Sequence, residues 1–445
     1  MNIKERIRYL IKKISDSELA VRVIKNSSWL VGDKVFTMII GVFVTAIVAR
    51  YFGPESYGQF NYALSFVTLF ATFSILGLET LTVKAIVDKK QDEGTILCTS
   101  FILRLIGGFF LTIVAVTIIK LLEPNDIKLH AIVFILSLMM VFKALEVIEY
   151  WIQAHQRAKI SSIVRMITYV IIAGFKLGMV LLGGTLIHFA LIYTIEAIIV
   201  GLGLVIAYFK YREEKFKWKF DINYAKEILS QSWPLIVSGM MVTLYMQIDK
   251  VMLGAMMPTT EEVGIYSAAT QIAGMWYFVP MAIITSFKPA IMSKKITNEQ
   301  SYLKSVQLLY TIVAWLGIIF GVFILIFSNP IVNILYGSEY QKASSILTVS
   351  IWAGTFAMLG SARSVWTVTE GLQRYNILFT GAGAIINIVL NYLLIPVVGG
   401  YGAAGATLIS QITVAIIVPS LIKETRISAI MILRAFKLEG VFKGR

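Results

Sequence analysis

The residues of this chain that could do chemistry are charged side chains set inside long apolar runs. Asp249 and Lys250 lie near the end of one such run, in MQIDKVMLGAMMPTTEEVGIYSAA (246–269). An ionised side chain in hydrocarbon costs about 2.5 kcal/mol or more. Each therefore has to face a bundle interior or a wet cavity, where it can hold an ion or a charged ligand. Five bases could meet an anion: Lys34, Arg50, Arg104, Lys250 and Arg363. Three acids could take up a proton or a cation: Asp33, Glu196 and Asp249.

The spacing sorts these residues. Asp33, Thr37, Gly41 and Thr45 recur at i, i+4 and form one narrow polar face. Lys34 is close enough to the start of its run to snorkel to headgroups, so anchoring competes with ligand binding there. The same choice is open for Arg50 and Lys250, at run ends. Arg104 is deeper, and Gly107-Gly108 follow it. Arg363 sits beside a small-residue stripe of Gly354, Ala357 and Ser361, which permits close packing or a wet wall. Ser238, Tyr245 and Asp249 share a face, whereas Asp249 and Lys250, being adjacent, point apart. Glu196 has no opposite charge near it in sequence, and Lys176 on the preceding run is its expected spatial partner. Glu146 and Glu149 stand at i, i+3 with Lys143 three residues before Glu146, a cluster expected to be internally paired.

Other chemistry has no sequence basis. No Gly-Lys-Thr phosphate loop is present, and no nucleophile stands beside a base. His130, His155 and His188 lack ligand spacing, and Cys98 is the single cysteine. An enzyme and a metal centre are not expected. The one cofactor to expect is a coupling proton or sodium ion.

The elements that must position these charges are membrane spans. Of 445 residues, 57% are hydrophobic and 15% charged, with mean hydropathy +0.78. A soluble chain carries about 25% charged residues. Twelve apolar runs of near 20 residues follow in order: 28–50, 59–82, 96–119, 130–151, 163–182, 187–209, 232–255, 264–287, 304–327, 344–367, 376–397 and 403–422. Each is long enough to cross a bilayer as a helix. Of the 40 Lys and Arg residues, only Lys120, Lys128 and Lys342 fall in alternate loops of one side, and seven lie within runs. The rest crowd the other side, which predicts cytoplasmic N and C termini. The net charge of +14 is then explained by topology, and nucleic acid is not an expected partner. The expected organisation is a basic, amphipathic N-terminus (1–27), a six-helix bundle (28–209), a charged linker (210–229), a second bundle (230–422) and a basic tail (423–445).

The two bundles read as copies. Ser28-Trp29 and Ser232-Trp233 are 204 residues apart, as are Pro54 and Pro258. Gly58 and Gly264 follow these prolines. Gln156-Arg157 matches Gln373-Arg374, and Gly183-Gly184 matches Gly399-Gly400, each pair at an equivalent place. With six spans per copy, the copies insert in the same orientation and are related by an axis along the membrane normal. The expected fold is an all-α polytopic membrane protein with pseudo-twofold symmetry and a central cavity.

The stretches VARYFGPESYGQF and MQIDKVMLGAMMPTTEEVGIYSAA resemble the first- and seventh-span signatures of bacterial polysaccharide flippases. These are the Wzx-type, O-antigen- and capsule-related branch of the multidrug/oligosaccharidyl-lipid/polysaccharide exporter superfamily. The resemblance covers essentially the whole chain. It implies movement of undecaprenyl-pyrophosphate-linked oligosaccharide from the cytoplasmic to the outer leaflet of the bacterial inner membrane, by ion-coupled alternating access. It also implies a polysaccharide polymerase and a chain-length regulator as partners, alongside membrane lipids. The lipid II flippase of the superfamily has two more spans than this chain. A cation-coupled multidrug exporter is the competing reading, and it would require an acid cluster for organic cations.

Overall fold

The computed structural model describes residues 18–212 and 217–437. The expected amphipathic segment at the N-terminus lies largely outside them, as does the end of the basic tail. Every regular element among the described residues is helical: α1 (Glu18–Ser74), α2 (Leu78–Val87), α3 (Glu93–Leu122), α4 (Ile127–Phe142), α5 (Val147–Ala154), α6 (Ala158–Leu181), α7 (Leu186–Tyr211), α8 (Ile222–Met256), α9 (Glu261–Met275), α10 (Phe278–Thr297), α11 (Glu299–Tyr336), α12 (Ala343–Thr369), α13 (Arg374–Ile412), α14 (Val418–Leu421) and α15 (Arg426–Ala435), with short 3-10 turns at Lys143–Glu146 and Ser338–Tyr340 and a π turn at Thr413–Ile417. Hydrocarbon offers no backbone partners, so helices are the economical way to satisfy every amide. Acids and amides in the connections start several helices: Asp92, Asp126 and Asn298 accept from the amides of Gly94, Leu129 and Ser301 at 2.8–3.1 Å.

Ten helical stretches among the described residues are long and apolar enough to cross a membrane. Two of them contain a backbone break. Gly53 adopts φ 69°, just before Pro54, and Val398–Gly399 leave the helical region, with Gly399 at φ 57°. Counting both sides of each break gives the twelve spans of the sequence. Two expected spans are not continuous. The run 59–82 turns at Leu76 and Gly77, both at positive φ, and the run 264–287 turns at Trp276–Tyr277, between α9 and α10. The second span of each half is thus broken, a further likeness between the copies.

The chain forms two compact units. The first comprises residues up to 44 together with 70–236. Its core gathers Leu78, Ile96, Leu97, Ile148, Trp151, Leu204 and Tyr208 where α2, α3, α5 and α7 meet. The second comprises 45–69 together with 237 onwards. In it α11, α12 and α13 pack in sequence, with α9 against α12 and α15 along α11. Large apolar side chains such as Phe110, Ile113, Ile319 and Leu325 remain exposed, as faces turned to lipid require.

Candidate functional site

The second unit encloses a cavity of about 520 Å³, lined by α8, α9, α12, α13 and the π turn. Tyr245 and Asp249 are one helical turn apart on α8, and both face it. Asp249 is only 4% exposed. Its Oδ2 accepts from the Tyr266 and Thr407 hydroxyls. Its Oδ1 accepts from Asn391 Nδ2 at 2.7 Å. Asn391 also donates to Asn387 Oδ1 at 3.2 Å, and Asn387 donates to Thr407 at 3.2 Å. Asn391 Oδ1 is buried with no hydrogen-bond donor. A carboxylate ringed by neutral hydroxyl and amide groups can hold a proton or a small hard cation with oxygen ligands. Among the described residues no group of three or more His, Cys, Asp or Glu could hold a metal.

Two cations line the same cavity. Lys250 and Arg363 both face it, and among the described residues neither has a carboxylate within 4.0 Å. Arg363 is 3% exposed. Its Nη1 donates to the carbonyls of Val414 and, at 3.0 Å, Ala415. Its guanidinium carbon lies 4.3 Å from the centre of the Phe379 ring. Its Nε is buried without a partner.

The first unit holds the other candidates in separate places. Arg104 is 3% exposed and donates to Tyr150 Oη at 3.0 Å. Lys176 Nζ lies 4.2 Å from the centre of the Tyr193 ring and is near enough to Glu196 to feel its charge, without a direct ion pair among the described residues. Asp33 is half-buried, and the charges of Arg165 and Lys34 act on it. Lys34 is exposed. The expected pairing of Glu146 and Glu149 with Lys143 does not form. A 3-10 turn interrupts the helix at Lys143–Glu146, and Glu149 faces Arg165 on α6 at 3.5 Å.

Arg50 belongs to the second unit and is partnered there. Its Nη2 donates to the carbonyls of Asn333, at 3.0 Å, and Ile334 at the end of α11. A cation at a helix C-terminus satisfies carbonyls that have no helical donor. Around it, Tyr340 donates to the Ala49 carbonyl at 2.8 Å and Thr260 to the Glu55 carbonyl at 2.9 Å. The two turns matched by sequence meet here. A Cβ on Gly58 would strike the Thr260 carbonyl, and one on Gly264 would strike the Pro54 carbonyl. Each glycine of the repeated motif thus makes room for the backbone of the other turn.

Sequence reasoning missed Tyr266, Asn387, Asn391 and Thr407, and Gln411, which also lines the cavity. The Asn387/Asn391 pair was visible as two amides at i, i+4 in an otherwise apolar run, where unpaired amides are costly.

Comparison with known proteins agrees with this architecture. A family profile described as polysaccharide biosynthesis protein matches residues 23–293, and one described as MatE matches 234–393. The capsular polysaccharide biosynthesis protein CapF of Staphylococcus aureus is 21% identical over 404 residues, 87% of this chain and 96% of that protein. The probable low-salt glycan biosynthesis flippase Agl15 of Haloferax volcanii is 27% identical over 261 residues, 56% of this chain. The chain spans about half of that second relative's length, 51%. Among solved structures, the lipid II flippase MurJ in an inward closed conformation superposes with TM-score 0.71 at 16% identity, covering 94% of this chain and 93% of the other.

Proposed function

The chain belongs to the polysaccharide biosynthesis protein family, and from that premise we propose that it is a flippase for undecaprenyl-pyrophosphate-linked oligosaccharide. It is a multi-pass membrane transporter and not an enzyme. In this reading it resides in the inner membrane with both termini cytoplasmic and delivers repeat units to the outer leaflet for polymerisation. The observation that carries the reading is the charge of the cavity. Lys250 and Arg363 line it without a carboxylate partner, against the single acid Asp249. A pyrophosphate is a strong, multiply charged acceptor that a confined guanidinium and ammonium suit. An organic cation would meet net positive charge there.

The cavity's 520 Å³ suits a charged head group and not a whole lipid-linked oligosaccharide. We assign Lys250 and Arg363 to the pyrophosphate and Asp249 to the coupling ion, a proton or sodium. Arg50 is occupied by the end of α11 and is better read as part of a closure on its side of the membrane. Alternating access would open that closure. Arg104, Lys34, Asp33 and Glu196 are secondary candidates in the first unit.

One observation favours a second reading. The MatE profile covers residues 234–393, which include Asp249 and Arg363, so a cation-coupled multidrug exporter is the alternative. Analysis of lipid extracts from a deletion strain separates the two. The flippase reading expects lipid-linked repeat units to accumulate on the cytoplasmic side. Normal surface glycan with no accumulation, together with drug hypersensitivity, would replace it with the exporter.

A further inference from the structure

The last span, 403–422 in sequence, is irregular where it passes Arg363, and the cause is local chemistry. Residues Thr413–Ile417 form a π turn, in which the Val418 amide donates to Thr413. Val414 therefore loses the donor an α-helix would give it. Ala415 loses its own because residue 419, four positions on, is proline and has no N–H. Two carbonyls are left open at one point of one helix, and both accept from Arg363 Nη1. Among the described residues Arg363 has no ion pair; its guanidinium also lies over the Phe379 face, and its Nε has no partner.

We infer that Arg363 is a switch shared between this π turn and the anionic group of the cargo. The inference rests on the anionic-cargo reading above. The guanidinium faces the cavity while donating only to neutral carbonyls. A phosphate oxygen is a charged acceptor, and hydrogen bonds to it are roughly twice as strong as neutral ones. An anion entering the cavity draws Arg363 away from Val414 and Ala415. The Pro419 turn then loses its brace, and the last helix is free to bend at that point. π turns of this kind mark functional sites in helices. Cargo arrival is in this way converted into a change in helix shape by the residue that binds it. The two Nη1 hydrogens cannot brace the turn and donate to pyrophosphate at once, and the unpartnered Nε–H is free to make the first contact with it.

The test uses the full chain in lipid nanodiscs with inorganic pyrophosphate as the probe. Calorimetry reads binding, and deuterium exchange reads the amides of residues 409–421. The expected result is binding accompanied by faster exchange around the turn, about fivefold to thirtyfold, the weight of one to two lost hydrogen bonds. In Arg363→Gln, binding should weaken at least about tenfold, as loss of a charge-assisted pair implies, and pyrophosphate should leave the turn's exchange unchanged. Wild-type binding with no change in exchange overturns the switch and leaves the anionic-cargo reading standing. A persistent response in Arg363→Gln also overturns the switch. No wild-type binding at all overturns both. Should Arg363→Gln not fold, the wild-type comparison decides alone.

Discussion

Replacing Asp249 by Asn and by Ala separates its structural role from its charge. The carboxylate accepts from three buried donors: the Tyr266 and Thr407 hydroxyls and the Asn391 amide. Asn keeps the shape and one acceptor oxygen. Its new amide faces two hydroxyls, each of which can turn to accept. The expected cost of Asp249→Asn is thus about 1 kcal/mol. Ala removes both oxygens and strands three buried donors, each worth about 1–3 kcal/mol when unsatisfied. Two hydroxyls can rotate towards other acceptors, so a loss of about 3–5 kcal/mol is expected for Ala. SDS titration in mixed micelles measures both unfolding free energies. Flipping with and without an imposed ion gradient measures coupling. The expected pattern is a stable Asp249→Asn with no gradient response and an unstable Asp249→Ala. Equal destabilisation by the two would refute the network. A gradient response retained in Asp249→Asn would refute Asp249 as the coupling acid.

Three further outcomes follow from the geometry. Gly264→Val would drive side-chain carbons into the Pro54 carbonyl. It should abolish flipping while preserving membrane insertion, and labelling of a cysteine introduced near Gly58 should rise several-fold as the turns part; unchanged labelling would show that the turns absorb the added side chain without parting. Arg50→Gln leaves the α11 carbonyls at an exposed site and should cost no more than about 1 kcal/mol with near-normal export, whereas complete loss of export in a folded Arg50→Gln would return Arg50 to the cargo site. Glu196→Gln removes an acid that already has Lys176 in range, so gradient dependence should persist; its loss there, with Asp249→Asn still coupled, would move the coupling site to the first unit.

Hydropathy made the twelve spans legible, because each crossing needs its own apolar length whatever its neighbours do. The paired turns were legible for a related reason. Gly58 and Gly264 were fixed by backbone contact, and a position that only glycine fits leaves a mark in sequence. The site was legible only through its charges. Asp249, Lys250 and Arg363 could be named individually, but Arg363 could not be assembled with the other two, since it comes from a distant helix. Neutral partners such as Asn391 and Thr407 were passed over, because an amide or hydroxyl gains meaning only from what it touches. The internal cluster of Lys143, Glu146 and Glu149 did not form because Arg165, on another helix, took the Glu149 carboxylate, a partner that spacing along one run does not show. The role of Arg363 depends on Pro419, 56 residues away, which frees one of the carbonyls it holds.

The central claim is that the chain moves an anionic, pyrophosphate-bearing lipid. It is tested most directly by reconstituting the purified chain in vesicles with a fluorescent polyprenyl-pyrophosphate-linked saccharide. Dithionite quenching then reports which leaflet holds the label. The account predicts protein-dependent flipping that inorganic pyrophosphate inhibits and that falls at least about tenfold in the Lys250→Gln/Arg363→Gln double variant. Absence of flipping, with gradient-driven movement of a cationic dye by the same vesicles, would contradict it.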